Sequence, residues 1–110
     1  MASDIESITA QLVAFRDARD WEQFHNPKDL AIAISAEVGE LLECFLWKNA
    51  EEAKPEKIRE ELADVLAYSF LLAHRCGLDI NEIMTDKIRR NGEKYPVEKA
   101  KGTAKKYDEL

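Results

Sequence analysis

Apolar residues recur at spacings of three and four along most of this chain, and at four of those inward-pointing positions stand carboxylates. Glu37-Val-Gly-Glu40 and, after a break at Pro55, Glu61-Leu-Ala-Asp64 each set two acids three residues apart, which on a helix is one face. One predicted seam runs Leu30, Ala33, Glu37, Glu40, Cys44, Trp47; the next runs Glu61, Asp64, Tyr68, Leu71. Both follow the 3-4-3 alternation that points inward. Two like charges about 4 Å apart repel by roughly 4 kcal/mol at an effective dielectric of 20. Such a cluster therefore needs protons or a cation. Oxygen-only ligands suit a hard ion, Mg²⁺, with Mn²⁺ as a substitute.

The pattern predicts an all-α fold of four main helices. The first runs from near Ser3 to about Arg19 with Ile5, Ile8, Leu12 and Phe15 as its stripe. Trp21 to His25 is a connector. Asn26-Pro27 supplies an N-cap and an N1 proline for a second helix reaching about Asn49. Pro55 opens a third, closed at Cys76-Gly77 by a C-cap glycine. Asp79 and Glu82 fit a capping box for a fourth, ending near Asn91-Gly92. Tyr95-Pro96 breaks it, and Val97 to Lys101 can add one turn. The short connector before Pro55 predicts an antiparallel hairpin of the second and third helices, with Gly39 letting them approach closely. That hairpin brings Glu37 and Glu40 opposite Glu61 and Asp64.

At 110 residues the chain fits one domain, 1–110, with 103–110 as a loose tail. A net charge of −6 argues against a nucleic-acid polymer as partner. No apolar run approaches the roughly 20 residues that span a membrane, and the acidic N-terminus lacks a signal pattern, so a cytoplasmic location is expected. Cys44 and Cys76 lack zinc-site spacing and read as buried thiols.

The plain alternative for the four acids is a solvated helix face, which their shared inward stripe argues against. Glu43, Glu51, Glu52, Glu56 and Glu60 do read as surface charges, with Glu43 and Glu60 nearest to a supporting role. Di-iron and di-manganese bundles also use inward Glu, but pair it with His in Glu-x-x-His. Here the i+3 partners are Glu40 and Asp64, which favours hydrolytic over O₂ chemistry. Lys87, Asn91 and Tyr95 recur every four residues. They suit phosphate neutralisation, hydrogen bonding and a pocket wall, or else a polar helix end. Trp21, Phe24, His25, Trp47 and Tyr68 form an aromatic set. On a continuous helix Trp47 lies roughly 10 Å beyond Glu40, where it can stack on a base; core packing is the alternative for each ring.

Four segments carry a resemblance: Trp21-Glu-Gln-Phe-His25-Asn-Pro, Ala36-Glu-Val-Gly-Glu-Leu-Leu-Glu-Cys-Phe-Leu-Trp47, Glu60-Glu-Leu-Ala-Asp-Val-Leu-Ala-Tyr68 and Asn91-Gly-Glu-Lys-Tyr-Pro96. Over nearly its whole length the chain resembles the MazG-like, all-α nucleoside triphosphate pyrophosphohydrolases, on the branch of the small dCTP pyrophosphatases. The resemblance implies Mg²⁺ ligation by Glu37, Glu40, Glu61 and Asp64. It implies base or sugar contacts from Trp21, His25, Trp47 and Tyr68, and phosphate contacts from Lys87 and Asn91. It also implies a homo-oligomer, a tetramer before a dimer, with sites at subunit interfaces. That branch can carry a substrate-facing His where this chain has Leu12, and its connector is longer, so the preferred base stays open.

The expected function is Mg²⁺-dependent hydrolysis of a (deoxy)nucleoside triphosphate to monophosphate and pyrophosphate, with Glu37 or Glu40 as general base. Two other classes compete with it: a non-catalytic Mg²⁺/nucleotide sensor module, and a purely structural helical oligomer.

Overall fold

The structure, a computed structural model, describes residues 2–110. Every regular element among them is helical: α1 (Asp4–Ala18), α2 (Pro27–Glu43), α3 (Pro55–Arg75), α4 (Ile80–Lys94) and the single turn α5 (Val97–Ala100), with 3₁₀ turns at Glu22–Phe24, Ala50–Glu52 and Tyr107–Glu109. The chain forms two compact units, Met1–Leu78 and Asp79–Leu110.

In the first unit, the caps set the helix starts. Ser3 Oγ accepts the Glu6 N–H at 3.1 Å, and Asn26 Oδ1 accepts the Asp29 N–H at 2.8 Å ahead of Pro27. α3 begins on Pro55 and stops where Gly77 turns left-handed at φ 67°. α2 and α3 make the most extensive helix pair, and α1 packs on α3. Among the described residues, the buried apolar side chains of this unit are Leu30, Ala53, Leu71 and Ala73.

Four expectations need correction. The buried face of α1 is rotated from the predicted stripe: Ile8 and Phe15 are exposed, while Arg16 is only 5% exposed. Arg16 sits four residues after Leu12, so its aliphatic stem fills a core position. Its guanidinium is held by Asp17 at 2.9 Å, with Glu22 at 4.0 Å, and its carbonyl accepts the N–H of Arg19 and Trp21. Second, α2 ends at Glu43, about six residues early. Phe45 and Trp47 are weak helix formers, and Asn49 competes by closing a capping box with Glu52, whose Oε1 accepts the Asn49 N–H at 3.0 Å. Third, a Cβ on Gly39 meets nothing within the chain, so it does not serve the α2–α3 contact. Fourth, Cys76 is exposed, because it is the C-cap of α3 rather than a core position.

In the second unit, Asp79 Oδ1 accepts the Glu82 N–H at 2.9 Å and opens α4 as expected. α4 continues through Gly92 to Lys94. Arg89 bridges Asp86 at 3.1 Å and Glu93 at 2.9 Å; the second pair straddles Gly92 and offsets part of its helix cost, which is about 1 kcal/mol. α5 supplies the expected extra turn. Residues 103–110 include a 3₁₀ turn that sets Tyr107 edge-on to Tyr95, with centroids 6.2 Å apart.

Candidate active site

The α2–α3 hairpin brings Glu37, Glu40, Glu61 and Asp64 together: one carboxylate oxygen from each lies within 4.8 Å of all the others. Glu37 and Glu61 are half-buried, whereas Glu40 and Asp64 face solvent. Glu37 Oε2 and Glu61 Oε2 are buried with no hydrogen-bond partner. Burial pushes both of these carboxyls above their ordinary range, and the adjacent Glu40 and Asp64 push the same way. Glu60 adds a further repulsive charge beside Glu61. Orphaned oxygens, mutual repulsion and an all-oxygen donor set fit one or more hard divalent cations.

A stability effect follows from the raised Glu37 value. Below the usual 4.5, folded and unfolded chains both hold the proton. As pH rises through that value the unfolded chain ionises first, and stability falls until the folded group has ionised too. Glu37→Gln should therefore raise the metal-free Tm at pH 7, by an amount that shrinks towards pH 4.5. Added Mg²⁺ should stabilise wild type more than the variant. Equal melting at pH 7 with and without the substitution would overturn the repulsion.

The structure also unites two of the predicted substrate residues. His25, on the connector into α2, lies edge-on to Tyr68 of α3 with centroids 6.2 Å apart. Burial, helped by the Arg16 charge, lowers the His25 pKa from its ordinary value and so favours the neutral ring. Its Nδ1 is buried without a partner. Trp21 stands beside Phe15 at 5.9 Å, and the Arg19 guanidinium lies 3.4 Å from the Phe15 centroid.

Trp47 is not on the α2 seam. The helix has ended, and Trp47 sits on the connector at φ 61° and is 93% exposed. A bulky residue in the left-handed region is costly and marks a position worth a functional question. Lys87 and Asn91 are exposed on α4 in the second unit. The Asn91 carbonyl accepts the Tyr95 N–H at 2.8 Å.

A cleft of about 280 Å³ opens on the carboxylates, lined by Glu40, Glu43, Cys44, Lys48, Lys54, Lys57 and Glu61. The three lysines were missed in the sequence. The available signal was that Lys57 precedes Glu61 by four residues and so extends its seam.

The profile of the MazG-like family matches residues 32–110. Mouse and human dCTP pyrophosphatase 1 are each 40% identical to the chain, over 96% of its length and 67% of theirs. A pyrophosphatase of Archaeoglobus fulgidus has a similar structure, with a TM-score of 0.80 at 36% identity, covering 87% of this chain and 95% of that one. The all-helical architecture, the paired-carboxylate hairpin and these similarities agree: the chain belongs to the MazG-like family.

Proposed function

We propose that the chain is a Mg²⁺-dependent nucleoside triphosphate pyrophosphohydrolase that converts a dNTP, dCTP or a related pyrimidine nucleotide, to its monophosphate and pyrophosphate. The observation carrying this reading is the four-carboxylate cluster with two orphaned buried oxygens. The relatives named as pyrophosphatases support the reaction class. Cleansing of the nucleotide pool in the cytoplasm is the role that fits, with residues 1–110 acting as one domain.

Glu37, Glu40, Glu61 and Asp64 would hold the cation, which when bound neutralises phosphate charge and polarises the α-phosphorus. Glu37 or Glu40 accepts a proton from the attacking water. The water oxygen bonds to the α-phosphorus, the bond from that phosphorus to the bridging oxygen breaks, and pyrophosphate leaves with the electron pair. His25 and Tyr68 offer a wall for base or sugar, and Trp21 an aromatic face. The family resemblance adds phosphate contacts from Lys87 and Asn91, and the four-residue spacing that Tyr95 shares with them suits a pocket wall.

A homo-oligomer, tetrameric before dimeric, completes the proposal. Ile32 and Leu42 on α2, Leu46 just beyond it, and Leu62 and Leu66 on α3 are exposed apolar side chains, with Gly39 at helical spacing from Ile32 and Leu42; Leu42 is 67% exposed. A second hairpin covering these side chains would explain both the exposed leucines and the bare Gly39. The exposed Trp47 ring is then free to meet a nucleotide held by a neighbouring copy.

The test is product analysis with Mg²⁺ across dCTP, dTTP, dUTP, dATP, dGTP and 5-modified dCTP. Monophosphate plus pyrophosphate is expected. Diphosphate plus phosphate, or no turnover with any of them, would overturn the proposal. Trp47→Gly removes the ring and suits φ 61° better. It should raise KM about tenfold, the value of one lost base stack, while Tm does not fall. An unchanged KM would remove Trp47 from the nucleotide contacts.

A further inference from the structure

The cleft beside the carboxylates shares only Glu40 and Glu61 with the cluster; its other charged walls are Glu43 and three lysines. Among the described residues, no ion pair within 4.0 Å involves Lys48, Lys54 or Lys57. All three ammonium side chains are exposed. Three uncommitted cations at the rim of a strongly acidic cluster, where each would gain from a carboxylate partner, point to an anion that the carboxylates alone would repel.

The lysines are also held in place by their backbone. The Lys48 N–H bonds the Phe45 carbonyl at 3.0 Å, directly after the left-handed Trp47. The Asn49/Glu52 capping box closes the next four residues. Ala53 is buried, pinning the chain immediately before Lys54, and Pro55 opens the helix that carries Lys57. A connector tied at each of these points presents its charges without a large ordering cost at binding.

Helix α3 gives the direction. Lys57, Glu61, Asp64 and Tyr68 follow one another at spacings of four, three and four, so they share one stripe. From Lys57 to Tyr68 this stripe rises roughly 16 Å at 1.5 Å per residue, comparable to an extended nucleoside triphosphate. An ammonium stands at one end, two carboxylates in the middle, and at the other end a phenol edge-on to His25.

We propose that Lys48, Lys54 and Lys57 seat the β- and γ-phosphates of the substrate and hold the departing pyrophosphate, making the α2–α3 connector together with the first turn of α3 the element that selects triphosphates. This rests on the proposed pyrophosphohydrolase activity for its substrate. The nucleoside lies towards Tyr68 and His25, and the scissile phosphorus lies between, at the carboxylates. An ammonium on a phosphate oxygen is a charge-assisted contact, worth roughly tenfold in affinity for each lysine.

The test is direct binding of inorganic pyrophosphate, and separately of dCMP, in Mg²⁺ by calorimetry, using the full chain. The combined Lys48→Gln, Lys54→Gln, Lys57→Gln variant should weaken pyrophosphate by about a hundredfold or more and leave dCMP within about twofold. Replacing the same three with Arg should restore most of the affinity, and Lys101→Gln should change neither ligand. Because the three side chains are exposed, helical content and Tm should match wild type, which separates this loss from misfolding. An unchanged pyrophosphate affinity in the triple variant, or an equal loss of both ligands, would overturn the assignment. Wild-type protein that binds pyrophosphate through these lysines yet releases none from any dNTP would instead overturn the proposed activity and leave the anion seat standing. Failure of wild type to bind pyrophosphate would remove the seat.

Discussion

Glu40→Gln and Asp64→Asn are each expected to abolish pyrophosphate release while the protein stays folded. The loss in kcat should exceed the roughly 10–100-fold typical of groups that only support a metal ligand; about a thousandfold is expected. Neither side chain is buried, and removing one charge from four crowded carboxylates relieves repulsion. The metal-free Tm should therefore hold or rise, while its response to Mg²⁺ weakens. Each substitution keeps the shape of the side chain and changes only its charge, so inactive but well-melting variants assign the cluster its role. Near-normal turnover in both would end the assignment.

Leu30→Ala carries the largest expected cost in stability. Leu30 is 1% exposed and is, among the described residues, the largest side chain to be so fully buried. Truncating a buried leucine costs about 2–5 kcal/mol, against a total of about 5–15 kcal/mol for a domain. A fall in Tm of roughly 10–25 °C should result. Leu30 precedes Glu37 by seven residues on the same face, so it supports the carboxylates from two turns away without touching the chemistry. Activity per folded molecule should persist below the new melting point. A Tm shift under a few degrees would mean the site closes over the missing methyls or is covered by another element.

Short-range chemistry made the helix starts legible. Ser3, Asn26, Asp79, Pro27 and Pro55 each act through their own backbone neighbours, and all stand where their chemistry places them. The four carboxylates were legible for the same reason, since spacing on two helices plus a short connector leaves few ways to arrange them. The end of α2 was not. No glycine or proline stops it, and the competitor is a capping box that takes hold only once the helix has let go at Glu43. Trp47 was misplaced for that reason. Phe15 and Arg16 differ by one step of the helix, and periodicity allows either inside. The ion pair to Asp17 and the long aliphatic stem decide for Arg16. The lysine rim escaped notice because each lysine alone is an ordinary exposed charge. Only the folded connector and the first turn of α3 together gather them.

That connector is closed on itself. Its capping box joins Asn49 to Glu52 rather than to either helix, and the carboxylates are carried entirely by α2 and α3. Substituting exposed positions between Phe45 and Lys54, with the buried Ala53 and the loop length kept, thus leaves the paired acids where they are. If the proposed phosphate seat holds, exchanging exposed residues of this one short segment retunes which phosphate chain is welcomed, while the paired carboxylates stay untouched on their two helices.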